Sequence, residues 1–137
     1  MAVIIGLGTA LPPNAISQKQ SFEYARHYSC TTVRSERVLE RLYKRTDIFK
    51  RWTASPMSEY AAVEGFYPPM RSKNDTGPTT AQRMESYADK VVPLALSAAE
   101  AAVAESGIGT KAISHLVTVT CTGFIAPGFD VALIQNV

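Results

Sequence analysis

The 137-residue chain is poor in the residues that build metal centres and covalent frameworks: it has two cysteines and two histidines. Cys30 and Cys121 stand far apart, with no close spacing between cysteines. That excludes a zinc motif and a disulfide scaffold and fits reduced thiols in the cytoplasm, so no metal is expected. No apolar run approaches the roughly 20 residues that span a bilayer, so no membrane contact is expected either. Residues 1–11 are apolar but lack a basic leader segment and run into Pro12-Pro13, which reads as a strand rather than a signal peptide. There are no internal repeats and no low-complexity tracts. Fourteen basic against twelve acidic side chains leave a net charge of only +2, which by itself argues neither for nor against nucleic acid.

What is present begins with Ala-Val-Ile-Ile-Gly-Leu-Gly at residues 2–8, a short continuous apolar run of the kind found in strands buried on both faces. Gly6-x-Gly8 invites a dinucleotide-binding reading. The third glycine and the immediate helix are missing, however, because Gly8 leads into Thr-Ala-Leu-Pro-Pro. Ser17 is placed to cap a helix with Phe22, Ala25 and Tyr28 on its apolar face, and Thr31 or Thr32 to begin a second one through about Lys44. Cys30 between them reads as a packed thiol.

Charge is unevenly placed. Seven of the fourteen basic residues, Arg34, Arg37, Arg41, Lys44, Arg45, Lys50 and Arg51, fall within residues 34–51. Arg37, Arg41 and Arg45 recur every four residues, so on a helix they share one face, with Val38, Leu39 and Leu42 on the opposite, buried side. Convergent guanidinium groups suit phosphate, because each is a planar fork of donors with a permanent charge. Taken alone, a basic helix face partnered by Glu36 and Glu40 is most often simply a solvated surface.

Residues 54–80 carry Pro56, Pro68, Pro69 and Pro78 with Gly65 and Gly77, the composition of a long surface connection. Thr79-x-x-Gln82 then resembles a capping box. Met84, Tyr87, Val91, Leu94, Ala95, Ala98, Ala102 and Val103 trace one apolar face of a long helix ending at Gly107, with Pro93 inside it. The 114–130 stretch reads as a buried strand, Leu-Val-Thr-Val-Thr-Cys, that ends in Thr-Gly and a Pro127-Gly128 turn before Asp130 opens a new amphipathic segment. Strand, helix, strand, helix is an α/β order, and the short 107–111 link suits a helix returning to a parallel strand. In such sheets the carboxyl ends of strands face the ligand, which puts Cys121 and Thr122 at a cavity.

The order Cys121-Thr122-Gly123-x-x-x-Pro127-Gly128-x-Asp130 resembles the same region of type III polyketide synthases, the chalcone and stilbene synthase family. Residues 42–52, Leu-Tyr-Lys-Arg-Thr-Asp-Ile-Phe-Lys-Arg-Trp, resemble the family segment that holds the phosphates of coenzyme A. The resemblance implies a thiolase-like α/β (αβαβα) fold, of which residues 1–137 are the amino-terminal portion with the carboxyl-terminal remainder absent. It implies an acyltransferase that extends an acyl-coenzyme A starter with malonyl-coenzyme A as a cytoplasmic homodimer, with no permanently bound cofactor. Arg41 and Arg45 fall at two of the family's phosphate ligands. The third falls near Arg37 or Val38, so Arg37 would reach from the neighbouring position. Cys121 and Thr122 take cavity-lining positions. Ala126, before Pro127, takes the position that projects across a two-fold interface, where plant members carry methionine; a more open wall or compensation by Phe124 or Phe129 follows. Ala126–Pro127 is also a candidate cis peptide.

The family's catalytic cysteine, histidine and asparagine are expected beyond Val137, so the isolated chain is expected to be inactive. Cys121 does not replace them: His115 lies six residues away in an extended run, roughly 20 Å at about 3.3 Å per residue. Two alternatives remain. Ketoacyl-acyl-carrier-protein synthase III shares an Arg-Thr-x-Ile-x-x-Arg-like run, here residues 45–51, but usually lacks Cys-Thr-Gly-x-x-x-Pro-Gly. A truncated, non-catalytic module that binds coenzyme A or a subunit would use the same arginines. Nucleic acid fits less well, because Tyr43, Phe49 and Trp52 form no recognised stacking platform.

Overall fold

The computed structural model describes residues 1–55 and 66–137, so Pro56 and Gly65 of the proline-rich connection lie outside the described residues. Contacts gather into two compact units, one of Pro12–Thr79 and one of Met1–Leu11 with Thr80–Val137.

In the Pro12–Thr79 unit, β1 (Asn14–Ser17) leads directly into α1 (Gln18–Ser29), followed by α2 (Val33–Arg45) and β2 (Lys50–Thr53). Ser17 caps α1 as the sequence predicts, and of the two candidates for the second cap, Thr31 and Thr32, it is Thr32 that starts α2. Ser17 Oγ accepts from the Gln20 amide at 3.2 Å while Gln20 Oε1 accepts from the Ser17 amide at 3.0 Å. The Thr32 and Ser35 pair repeats this reciprocal box at 3.1 and 3.2 Å. The helices are joined by Arg26, which bonds Glu36 of α2 at 3.1 Å and Glu23 of its own helix at 2.9 Å. Phe22 meets Tyr43 edge-to-face at 5.7 Å, and Tyr28 packs on Tyr67 at 5.9 Å, bringing part of the 66–79 connection onto α1. β1 and β2 pair antiparallel, Asn14 opposite Thr53 and Ser17 opposite Lys50.

In the other unit, α3 (Thr80–Ser106) runs 27 residues, about 40 Å, with Pro93 inside it. It stops at Gly107, whose φ of 67° is the left-handed ending that glycine adopts without a Cβ penalty. A short 3₁₀ turn, Thr110–Ala112, fills the expected link. After the 120–128 turn, α4 (Phe129–Asn136) packs on α3, with Leu133 buried between them. Residues 2–8 lie along α3. A Cβ on Gly8 would overlap the Ala98 carbonyl and the Ala102 amide, so the glycine permits this backbone-to-helix approach.

Three expectations change. Neither residues 2–8 nor 116–121 form a paired strand; the one ladder among the described residues is antiparallel β1–β2. Ile4 and Val119 are accordingly about 85 and 86 % exposed, because an apolar run is buried only where neighbouring strands cover it. On α2, Val38 and Leu42 are 52 and 56 % exposed rather than buried, while Leu39 is partly covered.

Candidate functional site

The basic face stands on α2. Arg37, Arg41 and Arg45 are all exposed, with successive Cβ atoms about 6 Å apart by helix geometry. The carboxylates around them are committed elsewhere: Glu36 to Arg26, and Glu40 to Lys44 at 2.7 Å. Among the described residues, no ion pair links Arg37, Arg41 or Arg45 to a carboxylate. The Lys44 hydrogen bond, and after it the Lys44 charge, hold the Glu40 carboxyl below its ordinary pKa. A permanently charged, open stripe offers phosphate several guanidinium donors, and Arg45, in the last turn of α2, is itself favoured there by the helix dipole.

Beyond the helix, Asp47 takes a left-handed φ of 54° and turns the chain into β2. There Lys50 lies over the Trp52 ring at 4.6 Å and Arg51 over the Tyr43 ring at 5.2 Å. Lys50 and Arg51 are therefore held against aromatic faces, whereas among the described residues Arg37, Arg41 and Arg45 are not. The composition of residues 34–51 gave no sign of this division.

The second set of predicted residues sits in the 120–128 turn. Thr120 Oγ1 closes it, donating to the Gly123 carbonyl at 2.8 Å and accepting from the Gly123 amide at 3.3 Å. Gly123 is buried against the Tyr87 ring of α3, where a Cβ would collide, and the Phe124 amide points to Met84 Sδ at 3.4 Å. So anchored, the turn leaves the Cys121 thiol and Thr122 exposed, with Cys121 Sγ 3.9 Å from Thr122 Oγ1. Ala126 is exposed as well, and its bond to Pro127 is cis, as the sequence suggested.

Two cavities escaped the sequence reading. One of about 510 Å³ lies among α3, residues 110–116 and α4, lined mainly by apolar side chains together with Thr110, Ser114 and His115. His115 Nδ1 is 2.9 Å from Ser114 Oγ. The other, about 360 Å³ and open, runs from Cys30 and Arg34 to Val38 and Leu42, and accounts for the uncovered apolar side of α2. Among the described residues, no helix is long and apolar enough to cross a membrane.

Comparison with known proteins identifies the arrangement. The whole of residues 1–137 matches the family described as chalcone and stilbene synthases, N-terminal domain. Type III polyketide synthase C of Arabidopsis thaliana is 34 % identical over 133 residues, 96 % of this chain and 33 % of its own length. An alpha-pyrone synthesis polyketide synthase-like protein of Mycobacterium tuberculosis is 29 % identical over 99 % of the chain and 32 % of its own length. Among solved structures, PKS-I from the brown alga Ectocarpus siliculosus superposes with a TM-score of 0.74 at 32 % identity, over 98 % of this chain and 35 % of that one. A type III pentaketide synthase from Neurospora crassa gives 0.73 at 25 %, over 96 and 32 %. The chain thus spans about a third of the length of these relatives.

Proposed function

Because the chain belongs to the chalcone and stilbene synthase family, and has the amino-terminal part of its thiolase-like α/β fold, we propose that it is the coenzyme A-binding portion of a type III polyketide synthase. The reaction is decarboxylative Claisen condensation. Malonyl-coenzyme A loses CO₂ to give a thioester enolate, whose carbon attacks an acyl thioester and expels the thiolate that carried the acyl group. No resident cofactor enters; coenzyme A thioesters are substrates. The observation that carries the reading is the open arginine stripe, unpaired among the described residues, in the segment that resembles the family's phosphate seat.

Arg41 and Arg45 bind phosphate, and Arg37 reaches it from one position aside. Cys121 and Thr122 line the acyl cavity beside a nucleophilic cysteine that, with its histidine and asparagine, belongs to the part of the family's length beyond Val137. Ala126 meets a partner subunit's cavity in a homodimer, and its single methyl leaves that wall more open than methionine would. The test is to incubate the protein at its full genetic length with malonyl-coenzyme A and a panel of acyl-coenzyme A starters. CO₂ release and polyketide formation that fall when Arg41 and Arg45 are both replaced by alanine support the reading. Unchanged turnover in the double variant, or no condensation with any starter, contradicts it.

A further inference from the structure

The carbonyl of Tyr43 is one of the four that the carboxyl end of α2 leaves without an intrahelical amide. Side chains take it: Gln18 Nε2 donates to it at 2.9 Å and Thr46 Oγ1 at 3.1 Å. The same Gln18 nitrogen donates to Thr46 Oγ1 at 2.8 Å, and the Gln18 backbone amide donates to the Phe49 carbonyl at 3.0 Å. On its acceptor side, Gln18 Oε1 receives the Arg51 Nε–H at 3.0 Å, which steers that guanidinium onto the Tyr43 ring. One residue at the first position of α1 therefore holds both ends of the 46–49 turn, its side chain at Tyr43 and Thr46 and its backbone amide at Phe49, and Arg45 sits between the two residues that the side chain grips.

We propose that Gln18 is a positioning residue for phosphate binding. It fixes the last turn of α2, and thereby the base of the Arg45 side chain, while diverting Arg51 from the stripe. This rests on the reading of Arg41 and Arg45 as coenzyme A ligands. Arg45 is long and exposed, so whatever backbone order is in place before the ligand arrives is order that binding does not have to impose.

The experiment is calorimetric titration of the 137-residue chain with coenzyme A and, separately, with pantetheine, which has no phosphate. The variants are Gln18→Met, of similar length but without the side-chain hydrogen bonds to Tyr43, Thr46 and Arg51, Arg45→Ala, and the two together. Loss of the Gln18 contacts is expected to weaken coenzyme A binding about five- to tenfold, the effect of one net hydrogen bond. Pantetheine binding should not change, and in the Arg45→Ala background the Gln18 effect should vanish. A residue needed only for stability would lower the unfolding midpoint without that coupling. Should circular dichroism show Gln18→Met unfolded, Gln18→Glu is read instead, since it keeps an acceptor for Arg51 and loses the donor to Tyr43 and Thr46. If Arg45→Ala weakens coenzyme A binding while the Gln18 variant does not, or if the two effects simply add, the positioning role is overturned and the phosphate reading stands. If the unsubstituted chain fails to bind coenzyme A, or Arg45→Ala changes nothing, the phosphate reading itself has failed and the positioning role falls with it.

Discussion

Replacing Gly8 by alanine puts the packing of residues 2–8 on α3 to a severe test. The added Cβ would overlap the Ala98 carbonyl and the Ala102 amide and stand 3.0 Å from the Ala102 Cβ. Two of these three are backbone atoms inside a helix, so no rotamer change relieves the clash; either residues 2–8 lift away or α3 bends. Overpacking of this kind costs about 1–3 kcal/mol, which in a chain of this length lowers the midpoint of thermal unfolding by about 3–10 °C. Gly109→Ala is the control. Gly109 has φ of −71°, open to any residue, and a Cβ there meets nothing within 4 Å. That substitution should be neutral or stabilise by about 0.4–1 kcal/mol, through a less free unfolded chain. Urea unfolding followed by circular dichroism measures both. If Gly8→Ala and Gly109→Ala agree within about 0.5 kcal/mol, comparable to ordinary surface substitutions, residues 2–8 do not pack on α3 as described.

Thr32→Ala removes half of a reciprocal cap and should cost about 1 kcal/mol in urea unfolding, whereas Thr32→Ser should cost little. Because the pKa of Glu40 is lowered in the folded chain, its pairing with Lys44 stabilises above the unfolded carboxyl pKa and is lost as pH falls through the folded value. A carbon-detected NMR titration should find the Glu40 midpoint below that of an ordinary glutamate, and Lys44→Gln should return it upward. Cys121 is exposed while Cys30 is half-buried, so Cys121→Ser should remove the faster phase of reaction with a thiol-specific disulfide reagent; loss of that phase in Cys30→Ser would contradict the placement.

Local chemistry was legible where it is self-contained. Ser17 and Thr32 carry their capping partners within three residues, so the start of α1 follows from the sequence alone and that of α2 to within one residue. Gly107 marks the end of α3 for the same reason. The β1–β2 pair was not foreseen, because Asn14-Ala-Ile-Ser and Lys50-Arg-Trp-Thr are short and lack an apolar alternation. Their pairing depends on a turn made by Asp47 and on the remote contacts of Gln18. Residues 2–8 and 116–121 show the opposite error. Their composition asks for burial, yet burial belongs to the neighbours, and among the described residues no strand lies beside either run. Within the basic segment, sequence spacing placed Arg37, Arg41 and Arg45 on one face. It could not separate them from Lys50 and Arg51, since that distinction is set by contacts with Trp52, Tyr43 and Gln18.

The most direct test of the central claim is an amide and guanidinium NMR titration of the chain with coenzyme A. Saturable shifts centred on Arg41 and Arg45, extending to Arg37 and weakening as salt is raised, are the predicted result. Shifts elsewhere with this stripe unmoved, or no saturable binding at all, would contradict the assignment of the α2 face to the coenzyme.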